Sequence, residues 1–138
     1  MSQQANIAAQ ERFGAAVNSD NLGDLDDLVA PGCVDHDPAP GQGPGPQGYR
    51  DIFGRELRTA FPDLHIEVEH LTAAGDDVAI AYSLTGTHHG PLMGHEPTGK
   101  TITMRGVQIA RFADGQMTER WGSSDQLGML TQLGLVSQ

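Results

Sequence analysis

Three short stretches of the chain hold side chains that could do acid–base chemistry. They are the DHD of residues 35–37, the GTHHG of residues 86–90 and the WGSSD of residues 121–125. Histidine titrates near neutrality and can accept, donate or orient a proton. A carboxylate in apolar surroundings has a raised pKa, which suits a general base. The candidate catalytic residues are therefore His36, His88 and Asp125.

Each stretch also has a purely structural interpretation. The DHD could form a surface turn before the prolines that follow it, and His88 could be a hydrogen-bonded histidine at a strand end. Asp125 could be a carboxylate in the first turn of a helix, where the helix dipole favours negative charge. The functional hypothesis instead places Asp125 at the mouth of a hollow beside Trp121. It requires that Asp125 and His36 face one enclosed cavity.

The long strand predicted over residues 100–112 offers two alternative sets of substrate-binding residues. Met104 and Gln108 share one face, while Arg105 lies on the other. Successive side chains of a strand point to opposite faces, so only one set can line the hollow. The pattern leaves the choice open, and either Gln108 or Arg105 could be a polar group in a mostly apolar pocket.

Aromatic side chains supply the predicted pocket walls. Tyr49 and Phe53 fall on one face of a predicted helix, and Trp121 lies on the last predicted strand. Histidines are available as metal ligands, but no His-x-x-x-His pair and no cysteine spacing supports a metal site. We therefore predict no metal.

The composition limits the class of partner. Asp and Glu outnumber Lys and Arg by 18 to 8, for a formal charge of −10. A nucleic-acid surface needs clustered basic residues, so no nucleic-acid partner is expected. An acidic chain also disfavours anionic membranes, and no apolar run of about 18 residues or signal segment is present. The single cysteine, Cys33, allows no intrachain disulfide. We expect a soluble cytoplasmic protein that acts on a small molecule.

Hydrophobic periodicity predicts three helices, four antiparallel strands and a terminal helix. The order indicates a single α+β domain over residues 1–138, with a curved sheet, helices packed on one face and a hollow at the open end. The predicted helices cover residues 3–19, about 22–29 and 46–61, and the strands begin near residues 64, 78, 100 and 116. Ser123 and Gln126 resemble a capping box for the terminal helix.

The stretch PAPGQGPGP of residues 38–46 has three possible functions: a domain linker, a phosphate-binding loop or a stiff flap. It lies inside one small domain, which argues against a linker. It lacks the Lys-Ser/Thr ending of a P-loop and does not follow a predicted strand. We therefore predict a proline-stiffened flap at the rim of the hollow.

Several short motifs, in order, resemble the SnoaL-like polyketide cyclase family, also called ester cyclases. They are FPDLH, the GD turn, GTHHG, PTGK, the DG turn, Trp-x-x-x-Asp and QLG. The resemblance covers positions 10–135, approximately. It implies the cone-shaped α+β fold of the nuclear transport factor 2 superfamily, with N-terminal helices packed on the concave face of the sheet. It also implies a homodimer formed through the sheet.

The resemblance further implies a cofactor-free intramolecular aldol reaction on a small, largely apolar carbonyl compound. The family's catalytic aspartate matches Asp125, its pocket histidine matches His36, and the GTH histidine matches His88. Isomerase-type proton abstraction is a close relative of this chemistry. The alternatives are a non-catalytic small-molecule-binding module, or an epoxide hydrolase or hydroxylase-like activity in the same pocket.

Overall fold

The computed structural model describes residues 2–136, which form five α-helices, a 3₁₀ turn, a π-helical segment and one sheet. Helix α1 is followed by a 3₁₀ turn, the short α2 and strand β1. A longer helical stretch consists of α3, a π-helical segment and α4, and it precedes strands β2 to β5 and helix α5. The bounds are α1 Gln3–Asn18, the 3₁₀ turn Leu22–Asp24, α2 Leu25–Leu28, β1 Val29–Asp35, α3 Gly45–Arg50, the π-helix Asp51–Leu57, α4 Arg58–Ala60, β2 His65–Ala74, β3 Asp77–Thr87, β4 Thr101–Ala113, β5 Gln116–Ser124 and α5 Gln126–Gln132.

The predicted α+β fold is confirmed, with one strand more than expected. The five strands lie in the order β1-β5-β4-β3-β2, and every pair is antiparallel except β1 with β5. The sequence assigned Val29 to the end of a helix that Pro31 and Gly32 would stop. These residues instead belong to β1, which is an edge strand, and edge strands tolerate proline because one row of N–H groups needs no partner.

A β-bulge determines which side chains of β5 face the interior. The register shifts so that Arg111 pairs with Glu119, whereas the next residue, Phe112, pairs with Met117. Thr118 is therefore an extra residue in β5, and the alternation of side chains reverses there. The Met117 side chain is buried on the core side of the sheet, while Glu119 lies on the outer face.

Helix α1 packs across the inner face of the sheet. Its start is capped as predicted, since the Ser2 hydroxyl accepts a hydrogen bond from the Ala5 N–H at 3.1 Å. The predicted apolar stripe is also confirmed, because Ala9, Phe13, Ala16 and Val17 are buried in the core. None of the helices in the described part of the chain combines the length and hydrophobicity needed to cross a bilayer.

Candidate functional site

A cavity of about 370 Å³ lies between the inner face of the sheet and the helices. Its volume falls in the range of ligand pockets, roughly 300–1,000 Å³. Most of its lining is apolar, and the polar groups converge at one end. The apolar lining includes Phe13, Val17, Ile52, Phe53, Leu57, Ile66, Val68, Ile80, Leu84, Leu92, Met93, Met104 and Met129.

The centre of the polar end is an ion pair between Asp35 and Arg120. Nη1 of Arg120 lies 3.1 Å from Oδ1 and 3.3 Å from Oδ2 of Asp35. Only 8% of the Asp35 side chain and 17% of the Arg120 side chain are exposed. Both residues line the cavity. Burial makes this a strong local electrostatic feature, since few water molecules screen the pair.

Three hydrogen bonds reach the Asp35 carboxylate in addition to the ion pair. The Tyr49 hydroxyl donates to Oδ2 at 2.7 Å and the Gln42 amide at 3.3 Å, while the Asp37 backbone N–H donates to Oδ1 at 2.9 Å. Burial alone would raise the pKa of Asp35, but these donors and the Arg120 charge outweigh it and lower the pKa. Asp35 is therefore ionised at neutral pH.

Arg120 is held by a second set of contacts. Its Nε donates to Oε1 of Gln108 at 2.7 Å, and Nε2 of Gln108 donates to Oε1 of Gln10 at 3.4 Å. The Tyr82 hydroxyl lies beside the same guanidinium, and burial raises the pKa of this tyrosine. A Cβ at position 106 would lie 2.5 Å from that hydroxyl, so glycine is needed there to make room for the Tyr82 ring.

Strand pairing brings the two charges together. Asp35 ends β1 and is the parallel partner of Arg120 in β5. The alternation of a strand then directs the neighbouring His36 to the outer face. The proline-stiffened stretch after β1 lines the cavity through Pro38, Ala39, Pro40 and Gln42, as expected of a flap at its rim.

Four of the residues proposed from the sequence line the cavity: Tyr49, Phe53, Met104 and Gln108. This decides which face of β4 points inward. Arg105 is on the opposite face, where its side chain is 73% exposed and pairs with Glu69 at 3.0 Å. The placement of Arg105 in the pocket is therefore wrong.

His36 and Trp121 lie together on the outer face of the sheet, away from the cavity. Their rings stack at 4.9 Å with an interplanar angle of 8°, and His36 Nε2 lies 2.8 Å from Glu119 Oε2. The predicted placement of both in the pocket is wrong. For Trp121 the cause is the bulge at Thr118, which exchanges the faces of the residues that follow it.

His88 is fully buried but does not line the cavity. Its Nδ1 accepts a hydrogen bond from the Thr98 backbone N–H at 3.1 Å, and its ring lies 5.8 Å from that of Phe61. The prediction that it points into the hollow is wrong. The interpretation as a hydrogen-bonded histidine at a strand end fits this geometry.

Asp125 caps helix α5 instead of facing the cavity. Its carboxylate accepts a hydrogen bond from the Gly128 N–H at 2.9 Å, and the residue is exposed. Strand β5 continues to Ser124, so Asp125, not Ser123, is the capping residue. Neither Asp125 nor His36 lines the cavity described above, so the prediction that both face it is wrong.

Arg120, Tyr82 and Gln10 were not predicted from the sequence as site residues, and neither was Asp35 beside His36. One signal was available for Tyr82, because it lies two residues from both Ile80 and Leu84 and therefore shares their buried strand face. Arg120 carried no such signal, since its inward direction depends on the bulge. Within residues 2–136, no group of three or more His, Cys, Asp or Glu side chains could hold a metal ion.

Known proteins share this arrangement of helices and sheet along nearly the whole chain. The structure of TsrD from Streptomyces laurentii superposes with a TM-score of 0.87, at 26% identity and 99% coverage of both chains. That of IdmH from Streptomyces antibioticus gives a TM-score of 0.79 at 32% identity, covering 97% of this chain and 99% of the other. Aklanonic acid methyl ester cyclase AcmA from Streptomyces galilaeus is 26% identical, over 97% of this chain and 92% of the relative.

A family model described as SnoaL-like polyketide cyclase matches residues 7–133, which span the cavity and both members of the buried ion pair. The resemblance seen in the short motifs is thereby confirmed. The chain belongs to the SnoaL-like polyketide cyclase family.

Proposed function

We propose that the protein closes a ring in a small polyketide-like molecule by an intramolecular aldol reaction that needs no cofactor. The observation that carries the proposal is the buried Asp35–Arg120 pair at the polar end of a mostly apolar cavity. Two comparisons also support the proposal: the match to the family model, and the similarity to AcmA, whose name describes it as a cyclase.

The proposed base is Asp35, in place of Asp125. The carboxylate takes a proton from a carbon of the substrate. The electron pair of the broken C–H bond stays on that carbon and is delocalised onto the neighbouring carbonyl oxygen, which gives an enolate. The enolate carbon then attacks a second carbonyl, which forms the new C–C bond, and the resulting alkoxide takes the proton back from Asp35. Arg120 and the Tyr82 hydroxyl stabilise the negative oxygen, as preorganised donors do in a site with little water.

The strength of the base restricts the substrate. The pKa of Asp35 is lowered, so the carboxylate is a weak base. Only a proton made acidic by two flanking carbonyls suits such a base, whereas a simple ketone needs a stronger one. This favours a β-dicarbonyl substrate over the isomerase-type alternative.

The test uses methyl 3-oxo-3-phenylpropanoate, a small aromatic β-dicarbonyl compound. Exchange of its methylene protons for deuterium is followed by NMR with and without protein. We expect wild type to accelerate the exchange, and Asp35→Asn to lose at least 100-fold of that acceleration, as general-base catalysis contributes about 10²–10⁴-fold. Asp125→Asn is the matched control and should keep it.

Two results would contradict the assignment. If the probe binds but exchanges no faster than in buffer, the chain is a non-catalytic binding module. If Asp125→Asn abolishes the acceleration and Asp35→Asn does not, the base is the residue that the family resemblance indicated.

Epoxide hydrolysis is a second candidate, favoured by the arginine that faces a pocket carboxylate. In this reaction Asp35 would take a proton from water while the water oxygen opens the epoxide ring, and the alkoxide formed from the ring oxygen would then take up that proton. Tyr49 and Gln42, which both contact Asp35, could position that water. Conversion of styrene oxide to its diol by wild type, but not by Asp35→Asn, would favour this candidate over the cyclase.

We also propose that the protein acts in the cytoplasm as a homodimer formed through the outer face of the sheet. Val34, Val107 and Ile109 are exposed there by 51%, 57% and 44% of their surface. Ion pairs between Arg105 and Glu69 and between Arg111 and Asp77 flank this apolar patch. A patch rimmed by both charge signs can pair with a second copy of itself.

A further inference from the structure

A chain of side-chain amides leads from Arg120 into the cavity, and the guanidinium fixes its direction. Nε of Arg120 can only donate, so the atom of Gln108 that faces it at 2.7 Å is the amide oxygen. Nε2 of Gln108 therefore faces the other way and donates to Oε1 of Gln10 at 3.4 Å. The same logic leaves Nε2 of Gln10 as the last donor in the chain.

This last donor belongs to a residue that is buried and lines the cavity. Gln10 lies on α1 with 5% of its surface exposed. Its Nε2 has no hydrogen-bond partner among the side chains and backbone of residues 2–136. This N–H is not among the fully enclosed unpaired atoms of the described residues, so it is open to the cavity and can donate to a ligand oxygen there. Hydrogen bonds in a chain also polarise one another, and the Arg120 charge strengthens the donor at the far end.

We propose that Gln10 is a substrate-binding residue that donates a hydrogen bond to a second carbonyl oxygen of the substrate, while Arg120 holds the first. A single glutamine amide separates the two donors, which suits the two nearby oxygens of one β-dicarbonyl unit. The inference rests on the proposed function, because it assigns an additional contact to the same substrate.

The test compares the binding of two probes and does not depend on turnover. Methyl 3-oxo-3-phenylpropanoate carries two carbonyl oxygens, and methyl 3-phenylpropanoate lacks the ketone oxygen. We expect wild type to bind the first more tightly in NMR titrations. Gln10→Met should weaken binding of the dicarbonyl probe about tenfold and that of the monoester less than twofold, since the lone carbonyl goes to the charged donor.

A second variant separates binding from a merely structural contribution. Gln10→Glu keeps an oxygen that accepts from Gln108, so Arg120 stays in place, but at pH 8 it replaces the free donor with a carboxylate. We expect it to lose at least as much affinity for the dicarbonyl probe as Gln10→Met. Gln4→Met, an exposed position on the same helix, is the matched control and should bind like wild type.

Three outcomes would overturn the inference: equal losses for both probes in Gln10→Met, wild-type binding by Gln10→Glu, or no preference of wild type for the dicarbonyl probe. Its failure can be distinguished from that of the proposed function. Deuterium exchange that depends on Asp35 can persist when Gln10 proves irrelevant, and selective dicarbonyl binding through Gln10 can persist without any exchange.

Discussion

At the scale of single residues, the donors around Asp35 set both its charge and its strength as a base. Burial favours the neutral acid, yet the hydrogen bonds and the Arg120 cation lower the pKa below the usual value. The folded protein therefore binds the Asp35 proton less tightly than the unfolded chain. It follows that Asp35 contributes stability above about pH 4, and that this contribution is lost as the pH falls through the lower folded pKa.

Tyr49→Phe tests this account because it removes the 2.7 Å hydrogen bond from the Tyr49 hydroxyl to Asp35 and leaves the ring in place. The pKa of Asp35 should rise toward its usual value. A hydrogen bond to a charged group contributes about 1.5–3 kcal/mol, so we expect a loss of that size at pH 7. The loss should be smaller at pH 3 than at pH 7, because protonation of the Asp35 carboxyl group removes the charge that the hydroxyl stabilises. Urea unfolding at both pH values measures it.

Tyr82→Phe is the control for this measurement, since the Tyr82 hydroxyl lies beside Arg120 and not beside a carboxylate. Its effect on the free energy of unfolding should be the same at the two pH values. An equal loss at pH 7 and pH 3 in Tyr49→Phe would show that the hydroxyl stabilises the fold without acting on the charge of Asp35.

At the scale of elements, helix α1 carries two asparagines with opposite surroundings. The amide of Asn18 donates to the Ile66 carbonyl at 2.8 Å and accepts from the Ile66 N–H at 2.7 Å, which ties the helix end to β2. Asn6 is fully buried, and neither its Oδ1 nor its Nδ2 has a partner among the described residues. Burying a polar group without a hydrogen bond destabilises the fold.

The two asparagines should therefore respond in opposite ways to the same substitution. Asn6→Leu replaces an unpaired amide by an apolar group of similar shape, and we expect it to increase the free energy of unfolding by about 1–2 kcal/mol. Asn18→Leu leaves two backbone groups of β2 unpaired and should decrease it by about 1–3 kcal/mol. Urea unfolding of both variants decides this, and a loss of stability in Asn6→Leu would refute the argument.

The helices and strands also differ in how well the sequence predicts them. The period of apolar residues predicts α1 and the alternating strands, because each has one face in the core. It does not predict β1, whose Pro31 and Gly32 resemble a helix stop. It also cannot predict the bulge at Thr118, which depends on how β5 pairs with β4. The site is the part most affected, because Asp35 comes from β1 and the inward direction of Arg120 depends on that bulge.

The same reasoning explains why the short motifs identified the family but not the site. The Trp-x-x-x-Asp of residues 121–125 marks the junction between β5 and α5, where Asp125 caps the helix. A cap is a structural requirement of the junction, and a carboxylate meets it through the Gly128 N–H. Side chains that contact the cavity come from elements far apart in sequence, so no local motif contains them.

At the scale of the whole molecule, the sheet separates two surfaces with different properties. The inner face forms the cavity wall with Met104 and Gln108, whereas the outer face exposes Val107 and Ile109 of the same strand. A strand with apolar residues on both faces is typical of a sheet covered on both sides. The described helices cover the inner face, so in the proposed homodimer a second copy of the chain would cover the outer face.

Val107→Glu tests the homodimer by placing a charge in the centre of this outer patch. In the dimer two such charges would be buried close to each other without partners, which is strongly unfavourable. We expect wild type to sediment at twice the mass of one chain and the variant at the mass of one chain, with an unchanged circular dichroism spectrum.

Leu127→Glu is the matched control, because Leu127 is 68% exposed on α5, outside the patch. A monomeric wild type, or dissociation in both variants, would exclude this face as the interface. If Val107→Glu dissociates but still accelerates deuterium exchange of methyl 3-oxo-3-phenylpropanoate, the catalytic unit is the single chain, as expected from a site whose polar groups all come from one copy.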